Sequence, residues 1–235
     1  MVLFLVCLEL LFGGIIGAYL NITSKKFLSF ILEFASGIMT AIICFNLIPE
    51  SLKIINISLT VSGILIGIFT MIYCSKIVDK RLLNDKKTNN NLFKSGIVIA
   101  IGIAIHNLPE GLAIGAGFES SESLGYTLAL AIAIHDIPEG ISVALPIKSG
   151  GYSKTKSVLI TALSGFTTAI GATLGAIIGS ISPTLIGLSL SFASGAMLYI
   201  VSCELIPESK SIYKGNFSSF GNIIGLLLGL ISTCI

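Results

Sequence analysis

Apolar residues along this chain fall in long continuous runs separated by short polar breaks. Eight runs, at about 2–20, 27–48, 57–77, 95–118, 124–147, 156–180, 184–206 and 217–235, each supply the roughly 20 residues a helix needs to cross a bilayer core. Transmembrane β-barrels show alternating segments of about 10 residues, so continuous runs exclude them. The pattern predicts an all-α integral membrane protein with eight transmembrane helices. The first run lacks a basic leading region and carries Glu9, so it reads as a true span and not a secretory signal.

Those runs are not independent. "FASGIMTAIICFNLIPES" at 34–51 returns as "FASGAMLYIVSCELIPES" at 192–209, an offset of 158 with 11 of 18 positions identical. The same offset lays "GGIIGA" at 13–18 on "GATLGA" at 171–176, and Gly63 and Gly67 on Gly221 and Gly225. Spans one to three (about 1–77) therefore repeat as spans six to eight (about 156–235), around a central helix pair at 95–147 and a loop at 78–94. The single domain covers 1–235. An odd number of spans separates the starts of the two triplets, so they have opposite orientations: an inverted repeat, typical of secondary transporters. The glycine pairs give small-residue surfaces for close helix packing, including a homodimer contact.

Charge sets the sidedness. Of 14 basic residues, 13 lie in or beside the loops after spans one, three, five and seven; only Lys53 is on the other side. By the positive-inside rule those loops are cytoplasmic and both termini extracytoplasmic, in the plasma membrane. Composition agrees with a lipid-embedded chain: 54% hydrophobic, 11% charged, mean hydropathy +0.98. A net charge of +2 requires no nucleic-acid partner. Five scattered cysteines, Cys7, Cys44, Cys74, Cys203 and Cys234, lack paired spacing and read as reduced packing thiols.

The rare polar residues gather mid-span. "IAIHNLPEG" at 103–111 and "IAIHDIPEG" at 132–140 occupy spans four and five, and His106 lies about 17 Å into a core of about 30 Å. His106 and Glu110, like His135 and Glu139, are four apart and project from one side of a helix. Asn107 and Asp136 stand about 100° around. Pro109 and Pro138 free the carbonyls of Ile105 and Ile134 and bend both helices. An ionised side chain at the bilayer centre costs at least about 2.5–3.5 kcal/mol, so three carboxylates there need a counter-charge. No basic residue is placed to supply it, and a divalent cation is the simplest answer. Imidazole with carboxylate and amide oxygen suits zinc, iron(II), manganese or cadmium better than magnesium or calcium.

"HNLPEG" and "HDIPEG" on adjacent central spans of an eight-helix chain resemble the signatures of the ZIP family of divalent metal transporters, bacterial type, over essentially the whole length. The resemblance implies one metal site at His106, Glu110, His135 and Glu139, and a second from Asn107, Asp136 and the two glutamates as bridges. It implies movement of spans one, four, five and six against two, three, seven and eight. The metal is then transported substrate, with no cofactor. Two departures stand out: the loop "DKRLLNDKKTNNNLFK" carries no histidine, and span six has Thr167 and Thr168 where some bacterial members place a glutamate.

Outside the motifs, Glu50 and its repeat mate Glu208 follow prolines at opposite mouths, where carboxylates attract cations. Asn46 and Glu204 lie one turn deeper and line a route. Glu9 and Glu33 read as solvated or helix-pairing, and Glu119 and Glu122 as solvent-facing. Two alternatives share these residues: an intramembrane zinc hydrolase, against which stand the missing HExxH and third histidine, and a metal-selective channel.

Overall fold

A computed structural model describes the backbone of residues 2–19, 24–78 and 91–232; side chains at 2–8, 78, 91–96, 98, 99, 106 and 232 are outside that description. Most of the expected loop at 78–94, with Lys80, Arg81, Lys86 and Lys87, and the side chains of Lys94, Cys7 and Cys234, therefore lie outside the described residues.

Every regular element among the described residues is helical: α1 (Val2–Tyr19), α2 (Lys25–Ile42), α3 (Ile48–Ile54), α4 (Ile57–Val78), α5 (Asn91–Ser120), α6 (Glu122–Ser149), α7 (Lys154–Gly179), α8 (Pro183–Ile200), α9 (Ile206–Ile212) and α10 (Phe217–Ser232). Serine sets several starts. The hydroxyls of Ser24, Ser121, Ser153 and Ser182 accept from the backbone N–H three residues on, satisfying donors that a helix start leaves open. Pro183 occupies the first turn of α8, where its missing N–H costs nothing.

Five described spans are long and apolar enough to cross a membrane: Lys25–Ile54, Ile57–Ile77, Glu122–Ser149, Lys154–Gly179 and Pro183–Ile212. The chain is a multi-pass, all-α membrane protein. Two spans outrun their sequence-predicted ends because α2 continues into α3, and α8 into α9, through π-helical turns at Ile43–Leu47 and Val201–Leu205. Pro49 and Pro207 follow those turns and donate no hydrogen bond to the preceding helix. A widened turn absorbs the lost bond without breaking the helix. Within α5 and α6 the helix runs on through Pro109, Pro138 and Pro146.

Helices meet through glycine. Gly37 of α2 faces the carbonyl of Asn222 on α10, and Gly195 of α8 faces that of Ile64 on α4; Gly225 faces Phe34, and Gly67 faces Phe192. Each member of these pairs lies 158 residues from its counterpart. Hydrogen bonds follow the same relation: Ser51 donates to the carbonyl of Gly187 at 2.9 Å, and Ser209 to that of Ser29 at 2.9 Å. Gly63, Gly67, Gly221 and Gly225 are thus covered by this chain's own helices. The expectation of a dimer contact at those glycines is corrected on that ground.

Packing divides the helices into two sets. α1 and α5 each pack on α6 and α7, which also touch each other, while α2 packs on α10 and α4 on α8. The seam between them is filled by a core including Met39, Ile42, Ile114, Leu128, Leu190 and Met197. Cys44, Cys74 and Cys203 are free thiols, but Cys44 and Cys203 are exposed and do not serve as packing residues.

Candidate metal centre

Glu110 on α5 and His135 and Asp136 on α6 come together at the contact between those helices, all three fully buried. One ligand atom from each lies within 4.8 Å of the others. The Nε2 of His135 is 3.1 Å from Oε1 of Glu110 and 3.4 Å from Oδ1 of Asp136. On the other side of the ring, Nδ1 lies 3.2 Å from the carbonyl oxygen of Ala131. A carbonyl only accepts, so Nδ1 carries the proton and donates it there. In the neutral ring Nε2 then presents a lone pair towards two carboxylate oxygens. Three acceptors pointing together require a cation between them, a proton or a metal.

Asn107, also fully buried, braces Glu110. Its amide lies 3.4 Å from the carbonyl of Ser164 on α7. Turned so that its nitrogen faces the other way, it donates to Glu110 Oε2 and the carbonyl of Ile103, both at 3.3 Å. That orientation gives Nδ2 two acceptors. Glu139, one turn beyond His135, is fully buried and within electrostatic range of His135 and Asp136. Oδ2 of Asp136 accepts no hydrogen bond among the described residues. His106 belongs to α5, but its side chain lies outside the described residues.

The threonines of α7 stand apart in chemistry. Thr167 donates to the carbonyl of Ser164 at 2.7 Å, which occupies its hydroxyl. Thr168 is fully buried with Oγ1 unpartnered among the described residues, and its backbone carbonyl faces Gly111.

Mouth and route residues are mostly engaged in helix contacts. Oε1 of Glu50 accepts from Ser120 Oγ at 2.6 Å, tying α3 to the end of α5, and Oε2 pairs with Lys53 at 2.9 Å. Glu204 accepts from Ser75 Oγ at 2.7 Å. Asn46, its repeat mate, keeps a buried Oδ1 with no hydrogen bond among the described residues. Both lie inside the π-helical turns. Glu208 starts α9 and is engaged in a further contact. Glu119 and Glu122 are exposed as expected. Glu33 is not solvated: it is 2% exposed and pairs with Lys210 of α9 at 3.0 Å. Oε2 of Glu9 is likewise covered, without a hydrogen-bond partner among the described residues.

Comparison with known proteins bears on this arrangement. The family model described as ZIP Zinc transporter matches residues 80–235. "Zinc transporter ZupT" of Enterobacter sp. (strain 638) is 33% identical over 237 residues, 94% of this chain and 92% of that protein. The chain belongs to the ZIP zinc transporter family. It is also similar to "Zinc transporter GufA" of Myxococcus xanthus, 36% identical over 143 residues (59% of this chain, 55% of that one). "Zinc transporter ZIP11" of Xenopus tropicalis is 38% identical over 143 residues (56% and 41%). ZIP family membership makes this protein a transporter and not an enzyme, which sets the hydrolase alternative aside.

Proposed function

We propose that this protein carries divalent transition metal into the cytoplasm, zinc first, with iron(II), manganese and cadmium as further substrates. The observation that carries the proposal is the convergence of His135 Nε2, Glu110 Oε1 and Asp136 Oδ1 in a fully buried cluster. One imidazole nitrogen and carboxylate oxygens suit these metals and disfavour magnesium and calcium. His106, Asn107 and Glu139 complete the ligand set. The relatives named as zinc transporters support zinc.

Transport proceeds by alternating access in an eight-span bundle with both termini extracytoplasmic. Its two triplets form an inverted repeat, and the set α1, α5, α6 and α7 carries the metal past the other helices. Glycine and serine contacts recurring at an offset of 158 support the repeat. The grouping of helices supports the division into moving and fixed parts.

Uptake by proteoliposomes holding the purified protein tests the reading, comparing zinc, iron(II), manganese and cadmium. Saturable uptake, lost in the Glu110→Ala, Glu139→Ala double variant, is expected. Equal uptake by that variant would remove the site from the pathway, and flux proportional to concentration without saturation would favour a channel.

A further inference from the structure

α1 is apolar along its whole length except for one acid, Glu9. The helix packs against α6 and α7, and its register on α6 is fixed by glycine. Gly13 faces the carbonyl of Ile137 and Gly17 faces Ile141, so the two helices run parallel and the same register brings Glu9 level with Ala133, two residues before His135. Leu10, its neighbour, lies against Gly165 of α7, beside Ser164, whose carbonyl meets the amide of Asn107. Thus α1 reaches the level at which α5, α6 and α7 meet.

Glu9 stands outside the close grouping of Glu110, His135 and Asp136 but interacts with it electrostatically. Its carboxyl is within electrostatic range of His135, Glu110 and Asp136, and its covered Oε2 accepts no hydrogen bond among the described residues. Oδ2 of the fully buried Asp136 equally accepts no hydrogen bond among the described residues. Carboxylates with orphaned oxygens in a low-dielectric interior repel unless a proton or a metal cation lies between them.

From this juxtaposition we infer that Glu9 is a further metal-binding residue, presenting a carboxylate from α1 to the divalent cation held by Glu110, His135 and Asp136. The inference rests on the metal-site reading above and adds a fourth helix-borne donor to it. Its consequence is that α1 travels with the site, because one of the cation's ligands is fixed to it.

Zinc uptake kinetics of Glu9→Gln, Glu9→Asp and Glu110→Gln in proteoliposomes separate the two readings. Glu9→Gln is expected to raise the zinc concentration for half-maximal uptake about tenfold with the maximal rate within about twofold. Glu9→Asp, which keeps the charge, should recover much of that loss. Glu110→Gln should abolish uptake. Wild-type kinetics of Glu9→Gln beside an inactive Glu110→Gln would overturn the role of Glu9 alone; wild-type uptake by Glu110→Gln would overturn the site itself.

A second measurement needs no variant. Carbodiimide labelling of the intact protein, read by mass spectrometry, is expected to modify Glu9 less when zinc is present, with exposed Glu122 unaffected. Zinc protection of Glu110 without protection of Glu9 would contradict the inference; protection of neither would contradict the site.

Discussion

His135 and Glu110 face each other across the α5–α6 contact, with Nε2 and Oε1 3.1 Å apart and both side chains fully buried. The ring is held from behind by the Ala131 carbonyl, so its free nitrogen cannot turn away from the carboxylates. A neutral ring therefore offers a lone pair where the surroundings are already anionic. A proton or a divalent cation between them would remove that conflict, which arises between helices that carry nearly the same nine-residue motif.

Glu33 and Lys210 form a second polar pair, inside the α2, α9 and α10 contact, where the ammonium also donates to Ser218 and Ser219. Replacing Lys210 by Met leaves Glu33 buried without its cation. The expected loss lies between the ~1 kcal/mol of an exposed pair and the ~3–5 kcal/mol of a buried one, because Lys210 is 38% exposed. The Glu33→Leu, Lys210→Leu double variant should regain most of it. Thermal unfolding in detergent checks both, and equal stability of Lys210→Met and wild type would remove the pair from the fold's support.

Close glycine packing joins α5 to α7. Gly111 and Gly115 face the carbonyls of Thr168 and Ala172, while Gly171 and Gly175 face those of Leu108 and Leu112. A side chain at Gly171 would push against rigid backbone, so Gly171→Val is expected to cost about 1–3 kcal/mol and to lower uptake. Gly102→Ala meets nothing within 4 Å and should leave both unchanged. Detergent melting curves for the two variants make the comparison.

The bond from Ser120 to Glu50 joins α5, in one helix set, to α3 in the other. If the sets slide past one another, this bond breaks in each cycle. A Glu50→Cys, Ser120→Cys pair in a cysteine-free background, joined by a short reducible cross-linker, is expected to stop zinc uptake. Reduction should restore it, and undiminished uptake after complete cross-linking would rule out sliding at this seam.

A softer dependence is expected at Asn107. Its amide N–H donates to Glu110 Oε2, so Asn107→Ala should weaken zinc uptake about 10- to 100-fold, and Asn107→Asp, which sets a second acceptor where the N–H stood, should not recover the loss. Uptake kinetics check both.

Much of this was legible in the sequence, for identifiable reasons. Span length and continuous apolarity predict helices because the bilayer leaves few alternatives. "HNLPEG" and "HDIPEG" mark α5 and α6 because ionisable groups are too costly at mid-membrane to be incidental. The remainder depended on tertiary register. Pro49 and Pro207 were visible, but the widened turns before them are a choice among backbone bonds that no residue type dictates. Glu9 read as solvated or helix-pairing because its surroundings depend on how Gly13 and Gly17 seat α1 on α6. Lys210 read as a loop charge, since nothing local tied it to Glu33, far away in the chain.

The central claim is that Glu110, His135 and Asp136 hold the transported metal, and X-ray absorption at the zinc edge of the zinc-loaded protein tests it most directly. The expected spectrum has imidazole nitrogen and carboxylate oxygen neighbours at about 2.0–2.2 Å, with imidazole scattering reduced in His135→Gln and zinc lost in Glu110→Gln. Zinc bound by thiolate sulfur at about 2.3 Å, or a spectrum unchanged in both variants, would contradict it.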